Sequence, residues 1–221
     1  MKKIEFFQLN KLLPETLVGL KVLDLGCGNG FITEKFARKG GKFFGLDLNQ
    51  NQIKQAKAKH PNIQFVCAPA NKIPFPAEFF DVVIANSAIE HFDFWSECVT
   101  EIGRVLKPNG LFVASTETKS FCLTKKQVNK KIEVMQIKQF FSRKKIRKDF
   151  LGFKLLKAEN YVSGWRIKLY NFITLNKFPK WCNVGVSAPL HKLLSPLLAL
   201  ISNNTGKERD CMGLAVKLKK K

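Results

Sequence analysis

The sequence predicts an α/β fold, a doubly wound and mostly parallel seven-stranded sheet with a basic helical lid or insertion laid against it. Short apolar runs without polar alternation recur along the first 120 residues, as expected of strands buried on both faces. Segments with helical spacing separate them, and glycine or proline marks almost every join. Two further apolar runs late in the chain bring the strand count to seven.

Taken in order, Lys11 to Gly19 suits a leading helix within residues 1–20 that stops before the sheet begins. Val22 to Leu25 is the first strand, Gly26 opens a turn, and Phe31 to Lys39 resumes with helical spacing before the Gly40-Gly41 stop. Phe43 to Leu48 and Gln50 to Lys59 repeat the strand and helix unit. Ile63 to Cys67 is a third strand and Phe80 to Ala85 a fourth, with Pro69, Pro74 and Pro76 between them. Glu97 to Leu106 is an amphipathic helix stopped by Pro108-Asn109-Gly110, and Gly110 to Ser115 is a fifth strand. Lys125 to Lys148 reads as one strongly basic helical stretch with Val128, Ile132, Met135, Ile137, Phe140 and Phe141 on its apolar side. Phe153 to Ala158 and Met212 to Leu218 are the last two strands, with an apolar helical segment at Leu190 to Ile201 between them. Ligands of such sheets sit beyond the carboxyl ends of the strands.

The charge is divided unevenly. Residues 1–120 carry 15 Lys+Arg against 12 Asp+Glu, whereas residues 121–221 carry 23 against 5, so nearly all of the +21 belongs to the second half. A field of that sign attracts nucleic acid, anionic lipid or phosphorylated groups. The six cysteines lack any C-x-x-C pair, which fits reduced thiols in a cytosolic setting better than a zinc site. The first residues lack the apolar core of a secretory signal, and Leu190 to Ile201 is well short of the roughly 20 residues that a membrane span needs. A cytoplasmic protein is expected.

The most informative segment is Asp24-Leu25-Gly26-Cys27-Gly28-Asn29-Gly30, between a strand and a helix. Glycines at alternate positions let the backbone turn tightly and approach a ligand without Cβ interference. The third glycine follows after one residue, not the two of the dinucleotide fingerprint, which argues against NAD or FAD. Asp47 ends the second strand 21 residues after Gly26, the spacing of an acceptor for ribose hydroxyls, although an aspartate there also suits a helix N-cap. A carboxylate at Asp24 would repel phosphates yet suit a cationic amino-acid group, so a nucleoside without a pyrophosphate fits both features.

These residues, with Gly45-Leu46-Asp47 and Ile73-Pro74-Phe75-Pro76 followed by Phe80-Asp81-Val82-Val83, resemble the class I S-adenosylmethionine-dependent methyltransferases, in particular the small-molecule, ubiquinone-type group known as type 11. The resemblance covers about residues 20–118 and implies a Rossmann-like methyltransferase fold and S-adenosyl-L-methionine as cofactor. It implies that Gly26, Cys27, Gly28 and Gly30 hold the methionine portion, that Asp47 and Leu48 hold the ribose side, and that Ala70 flanks the adenine. Pro69 stands where that group often has an acid for the adenine amino group, which leaves backbone groups, Leu48 packing or Asn71 for that contact.

The stretch Ala85-Asn86-Ser87-Ala88-Ile89-Glu90-His91-Phe92 corresponds to the part of the family site where methyl donor meets acceptor, so Asn86 joins the cofactor set. His91 is the natural general base for a hydroxyl acceptor, and a packing histidine at a helix start is the bland alternative. Glu90-His91 also resembles part of a metal-dependent quinone O-methyltransferase motif, but Ser87 replaces a further Glu, and no metal is expected.

A single methyltransferase domain over 1–221 follows: a cofactor core at 21–118, a basic and aromatic acceptor region at 119–206, and a last strand with a basic tail at 207–221. The acceptor is expected to be a small molecule or a lipid-linked one. Three readings of the basic half stay open: a rim for RNA, although no RNA-binding module is present; peripheral contact with an anionic membrane through Trp165, Tyr170, Trp181 and the lysines, placing the protein at the inner membrane face; and a lid whose lysines are only hydrated. The RNA reading carries with it an RNA or protein methyltransferase as the alternative function.

Overall fold

The computed structural model describes residues 2–118, 129, 132–163 and 211–221. Its elements in chain order are α1 (Lys2–Leu12), β1 (Lys21–Leu25), α2 (Phe31–Ala37), β2 (Lys42–Asp47), α3 (Gln50–Lys59), β3 (Gln64–Cys67), β4 (Phe80–Asn86), a 3-10 turn (Ile89–His91), α4 (Trp95–Val105), β5 (Leu106–Glu117), α5 (Arg143–Asp149), β6 (Phe153–Ser163) and β7 (Cys211–Lys220). The seven strands form one sheet in the order β3-β2-β1-β4-β5-β7-β6. β1 to β5 pair in parallel, and β7 enters antiparallel between β5 and β6.

Both faces of the sheet are apolar and both are covered. Leu9 and Leu12 of α1 and Ile32 and Phe36 of α2 pack with Val22, Val82, Val113 and Ala215 on one face. Ile102 and Val105 of α4, with Ile146 of α5 and Phe150 after it, pack with Leu23, Val83, Phe112 and Val216 on the other. Successive strand residues alternate between these two clusters, as the period of two requires. The strand order reverses direction at β1 and β4, so the crevice expected of a doubly wound sheet opens at the carboxyl ends of β1, β2 and β4.

Five sequence expectations are corrected. The leading helix lies at Lys2–Leu12, not over Lys11 to Gly19, because Leu9 and Leu12 supply its buried side and Pro14 follows its end. The α4 helix begins at Trp95, and β5 starts directly at Leu106. There Leu106 pairs with Phe80, the register then slips, and Asn109 turns with φ 64° before Leu111 pairs with Val82. The basic stretch is not one helix: a helical turn at 132–135 ends at Gln136, which has φ 51°, residues 137–142 are non-helical, and α5 restarts with the Ser142 side chain accepting from the Lys145 N–H. The β6 strand runs on to Ser163, well past Ala158. The expectations for residues 119–128, for Trp165, Tyr170 and Trp181, and for the segment Leu190 to Ile201 lie outside the described residues.

Candidate active site

The loop from β1 to α2 is folded over the end of β2. The Gly26 and Cys27 N–H groups both donate to the Leu46 carbonyl, at 2.7 and 3.0 Å. The Gly28 N–H donates to Asp47 Oδ2 at 2.8 Å, and the Asn49 N–H donates to Asp47 Oδ1, also at 2.8 Å. The N-cap of α3 is Asn49, whose side chain accepts from the Asn51 and Gln52 N–H groups. Asp47 is therefore no helix cap; it is a half-exposed carboxylate clasped between the glycine loop and the start of α3. A carboxylate offers about four lone-pair positions, so two remain for hydroxyl donors in the crevice.

The three glycines serve different ends. All have positive φ, at 80°, 54° and 76° for Gly26, Gly28 and Gly30. A Cβ on Gly26 would stand 2.5 Å from the Ala88 Cβ, and one on Gly30 would stand 2.7 Å from the Phe65 ring. Those two positions need glycine for packing as well as for backbone conformation. A Cβ on Gly28 would meet only the Gln52 Oε1, at 3.8 Å. Open space before a bare backbone beside a carboxylate is where a ligand can approach closely.

The site's own electrostatics are negative, against the sign of the chain as a whole. Asp24 is 2% exposed, and its Oδ2 accepts from the Thr33 hydroxyl at 2.6 Å, which ties β1 to α2 beneath the loop. Burial, reinforced by Asp24 and then Asp47, pushes the Cys27 thiol far above its ordinary range, so Cys27 is a protonated packing group whose backbone shapes the loop. A sulfonium or ammonium suits this field; a pyrophosphate does not.

Around the crevice, Leu48 is 70% exposed next to Asp47, an apolar surface with no protein partner over it among the described residues. Ala70 is half-buried against the core, and Asn71 directs its Nδ2 to Glu97 on α4 at 2.7 Å, which leaves its carbonyl oxygen for a ligand. Asn86 ends β4, and its Oδ1 accepts from the Ser115 hydroxyl at 3.3 Å. Thus the glycine loop is bonded to Asp47 beside exposed Leu48, Asn86 ends β4, Asp24 is tied to Thr33 of α2, and Asn71 is held by Glu97 of α4.

The acceptor side is built by the turn after β4. Ser87 takes φ 48°, its N–H donates to the Ser115 carbonyl at 3.1 Å, and the 3-10 turn Ile89–His91 brings Ala88 and Phe92 over Gly26. His91 Nδ1 lies 3.3 Å from the Gln136 carbonyl, which can only accept, so that bond places the proton on Nδ1 and leaves Nε2 as the lone-pair nitrogen of the neutral ring. Lys138 N–H and Gln139 N–H donate to the Glu90 carbonyl, and Phe141 N–H donates to the Glu117 carbonyl. Residues 136–141 are a strap pinned across the turn.

Beneath the strap, Glu90 is fully buried, and neither carboxyl oxygen has a hydrogen-bond partner among the described residues. Burial, with Glu117 and Glu5 pushing the same way, raises its pKa to about 8, and the Thr116 hydroxyl nearby offers only partial relief. The strap and the buried carboxyl are features that sequence reasoning missed. The strap's only signal was the broken apolar spacing around Gln136, and the burial of Glu90 depends on a strand, β5, far away in the chain. Among the described residues no cluster of three His, Cys, Asp or Glu could hold a metal ion.

Residues 23–114, from β1 to β5, match the family described as a methyltransferase domain. A ubiquinone biosynthesis O-methyltransferase of Bradyrhizobium diazoefficiens is 37% identical over 124 residues, which is 53% of this chain and 49% of that protein. The chain thus spans about half the length of the curated relatives it matches. Among solved structures, an S-adenosylmethionine-dependent methyltransferase from Mesorhizobium loti superposes with a TM-score of 0.69 over 98% of both chains at 18% identity. A geranyl diphosphate C-methyltransferase from Streptomyces coelicolor A3(2), solved with S-adenosyl-L-homocysteine, gives 0.71 over 99% of this chain and 77% of the other at 13% identity. The fold is that of the Rossmann-like S-adenosylmethionine-dependent methyltransferases.

Proposed function

We propose that this protein is an S-adenosylmethionine-dependent methyltransferase that methylates a hydroxyl of a small-molecule or lipid-like acceptor. One observation carries the donor side: the Asp47 carboxylate is fixed to Gly28 with lone pairs to spare, beside exposed Leu48 and an open stretch of glycine backbone. Asp47 would accept from the ribose hydroxyls, Leu48 and Ala70 would flank the adenine, and the acidic surroundings of the glycine loop would receive the cationic methionine end.

The bound donor supplies an electrophilic methyl group on a sulfonium. The chain's own task is mainly geometric, since transfer needs donor and acceptor held in line at near-attack distance. Ala88 and Phe92, packed over Gly26, would fix the floor between the two ligands. As the new C–O bond forms, the hydroxyl proton would pass to His91 Nε2, the nitrogen left free by the Gln136 carbonyl. The name of the curated relatives supports a hydroxyl acceptor. Contact of the basic second half with an anionic membrane is the partner proposal that goes with a lipid-like acceptor.

The test is incubation with methyl-labelled S-adenosyl-L-methionine and cell extract separated into lipid, small-molecule, RNA and protein fractions. Label in the lipid or small-molecule fraction, lost in the Asp47→Ala variant, is the expected result. Label in RNA or protein would overturn the acceptor class, and absence of calorimetric binding of S-adenosyl-L-methionine would overturn the whole reading.

A further inference from the structure

The outer antiparallel strand pair of the sheet, β6 and β7, carries an unusual charge arrangement. In the antiparallel register of β6 and β7, Lys157 stands opposite Lys217 and Lys154 opposite Lys219. Residues opposite one another share a face, and Lys217 and Lys219 lie two apart on one strand, so the four form a two-by-two square on the face that α1 partly covers. Directly opposed like charges destabilise a sheet. Lys157 is answered by Glu159 at 2.8 Å, yet Lys154, Lys217 and Lys219 make no side-chain ion pair or hydrogen bond with any described residue.

Lysines on an edge strand also deter strand addition, which accounts for Lys154 and Lys157 on β6, the outermost strand among the described residues. It does not account for Lys217 and Lys219, because β7 is an inner strand paired on both sides. A repulsive square kept on an inner strand points to an external anion.

Its surroundings select the kind of anion. Leu151, in the turn leading into β6, is 78% exposed, and Leu156, at the bulge between Leu155 and Lys157, is 43% exposed. Among the described residues, the aromatic side chains of the two strands are not open for stacking on bases, since Phe153 is packed against the core and Tyr161 is buried. Leu156 adjoins Lys157 in sequence and Leu151 precedes Lys154 by three residues, and exposed leucines near ammonium groups match a bilayer, where leucines enter the interface and lysines meet anionic headgroups.

We propose that the β6–β7 strand pair is the surface by which this protein docks on an anionic membrane, with the lysine square on the headgroups and Leu151 as the apolar anchor. The inference rests on the membrane contact proposed above and assigns it to residues. Ser115 pairs with Ala215, so Lys217 and Lys219 lie two and four residues away from the carboxyl-end row, and docking leaves the cofactor crevice free.

The test is sedimentation of the full chain with phosphatidylcholine vesicles, either pure or containing about one third phosphatidylglycerol. The wild type should bind only the anionic vesicles, and less strongly as salt rises. Each Lys→Gln change should weaken binding about five-fold, and the quadruple variant at positions 154, 157, 217 and 219 several hundred-fold, on the usual worth of a lysine near such a surface. Leu151→Gln should weaken the binding that persists at high salt. S-adenosyl-L-methionine affinity should stay at the wild-type level in every variant, which shows that the fold is kept.

If the wild type binds and the quadruple variant binds equally well, the strand pair is the wrong surface while the membrane reading survives. If the wild type ignores anionic vesicles, both fail. Binding of poly(U) that is lost in the quadruple variant, without vesicle binding, would assign the square to nucleic acid and overturn the proposal.

Discussion

Replacing Glu90 by Gln should stabilise the protein, and the gain should grow with pH. An unfolded chain leaves Glu90 near 4.5, while the folded protein raises it to about 8 by burying both oxygens without a partner and setting Glu117 and Glu5 nearby. The sign is opposite to that of a salt-bridged carboxylate. Between those two values the folded state binds the extra proton, so its stability falls as pH rises through the window and levels off above about 8. At about 1.4 kcal/mol per pH unit, the penalty is about 3 kcal/mol at neutral pH and approaches roughly 5 kcal/mol at the plateau. Glutamine has the same shape, carries no charge, and brings two N–H donors beside the Thr116 hydroxyl. Urea unfolding of both proteins from pH 5 to 9 is the assay. Their difference should widen by about 3–4 kcal/mol between pH 5 and 8 and then stay flat. A gap that does not change with pH, or a variant less stable than wild type at pH 9, would show that the carboxylate is compensated in the fold and would refute the reasoning.

The cofactor crevice yields sharper contrasts. Asp47→Ala should weaken S-adenosyl-L-methionine binding by about 1–3 kcal/mol, measured by calorimetry, through loss of a charged acceptor; unchanged affinity would remove Asp47 from the site. Gly28→Ala should keep the fold, losing only the stability that backbone strain at φ 54° costs, and lose ligand affinity, because its Cβ meets only the Gln52 amide. Gly30→Ala should lower the thermal midpoint, because its Cβ drives into Phe65; equal effects of the two on stability would refute the division of roles. His91→Ala should slow turnover about 10²-fold or more with little change in donor affinity, whereas a full-rate variant would leave His91 a packing residue. Arg104→Ala should destabilise by about 1–2 kcal/mol in urea unfolding, since the guanidinium holds the Ile73 and Phe75 carbonyls at 2.8 Å each and pairs with Glu101.

Local chemistry made the first half legible. The glycine loop, the acid at the end of β2 and the first four apolar strands are all written in contiguous residues, and those strands fell within a residue of where the spacing put them. Asp47 was ambiguous between ligand acceptor and helix cap until Asn49 was found in the capping role two residues later. What stayed hidden depends on pairing between distant segments. The strap at 136–141 is held by carbonyls of Glu90 and Glu117, which no local periodicity encodes, so the basic stretch read as one continuous helix. The lysine square exists only because β7 inserts between β5 and β6, placing residues about sixty positions apart face to face. Sequence reasoning registered its charge as a property of half the chain and could not assign it to a surface.

The opposition between the two ends of the molecule has a physical consequence for the order of events. Asp24 and Asp47 would make the proposed cofactor site anionic, suited to a cationic donor and unsuited to phosphates, while the lysines of β6 and β7, on the far side of β5, would draw anions. Screening over roughly 8 Å at physiological salt keeps these two fields from cancelling across the sheet. On the proposed docking, a donor would be captured without competition from the headgroups that hold β6 and β7. On this argument donor affinity should be insensitive to anionic vesicles, and turnover on a water-soluble acceptor should be insensitive to the four lysine substitutions. Turnover on an acceptor embedded in the bilayer should fall with them, through the Michaelis constant and not through the maximal rate, because the lysines act before the chemical step. A fall in maximal rate on the soluble acceptor would mean that the strand pair and the crevice are coupled through β5, and the separation of the two fields would have to be given up.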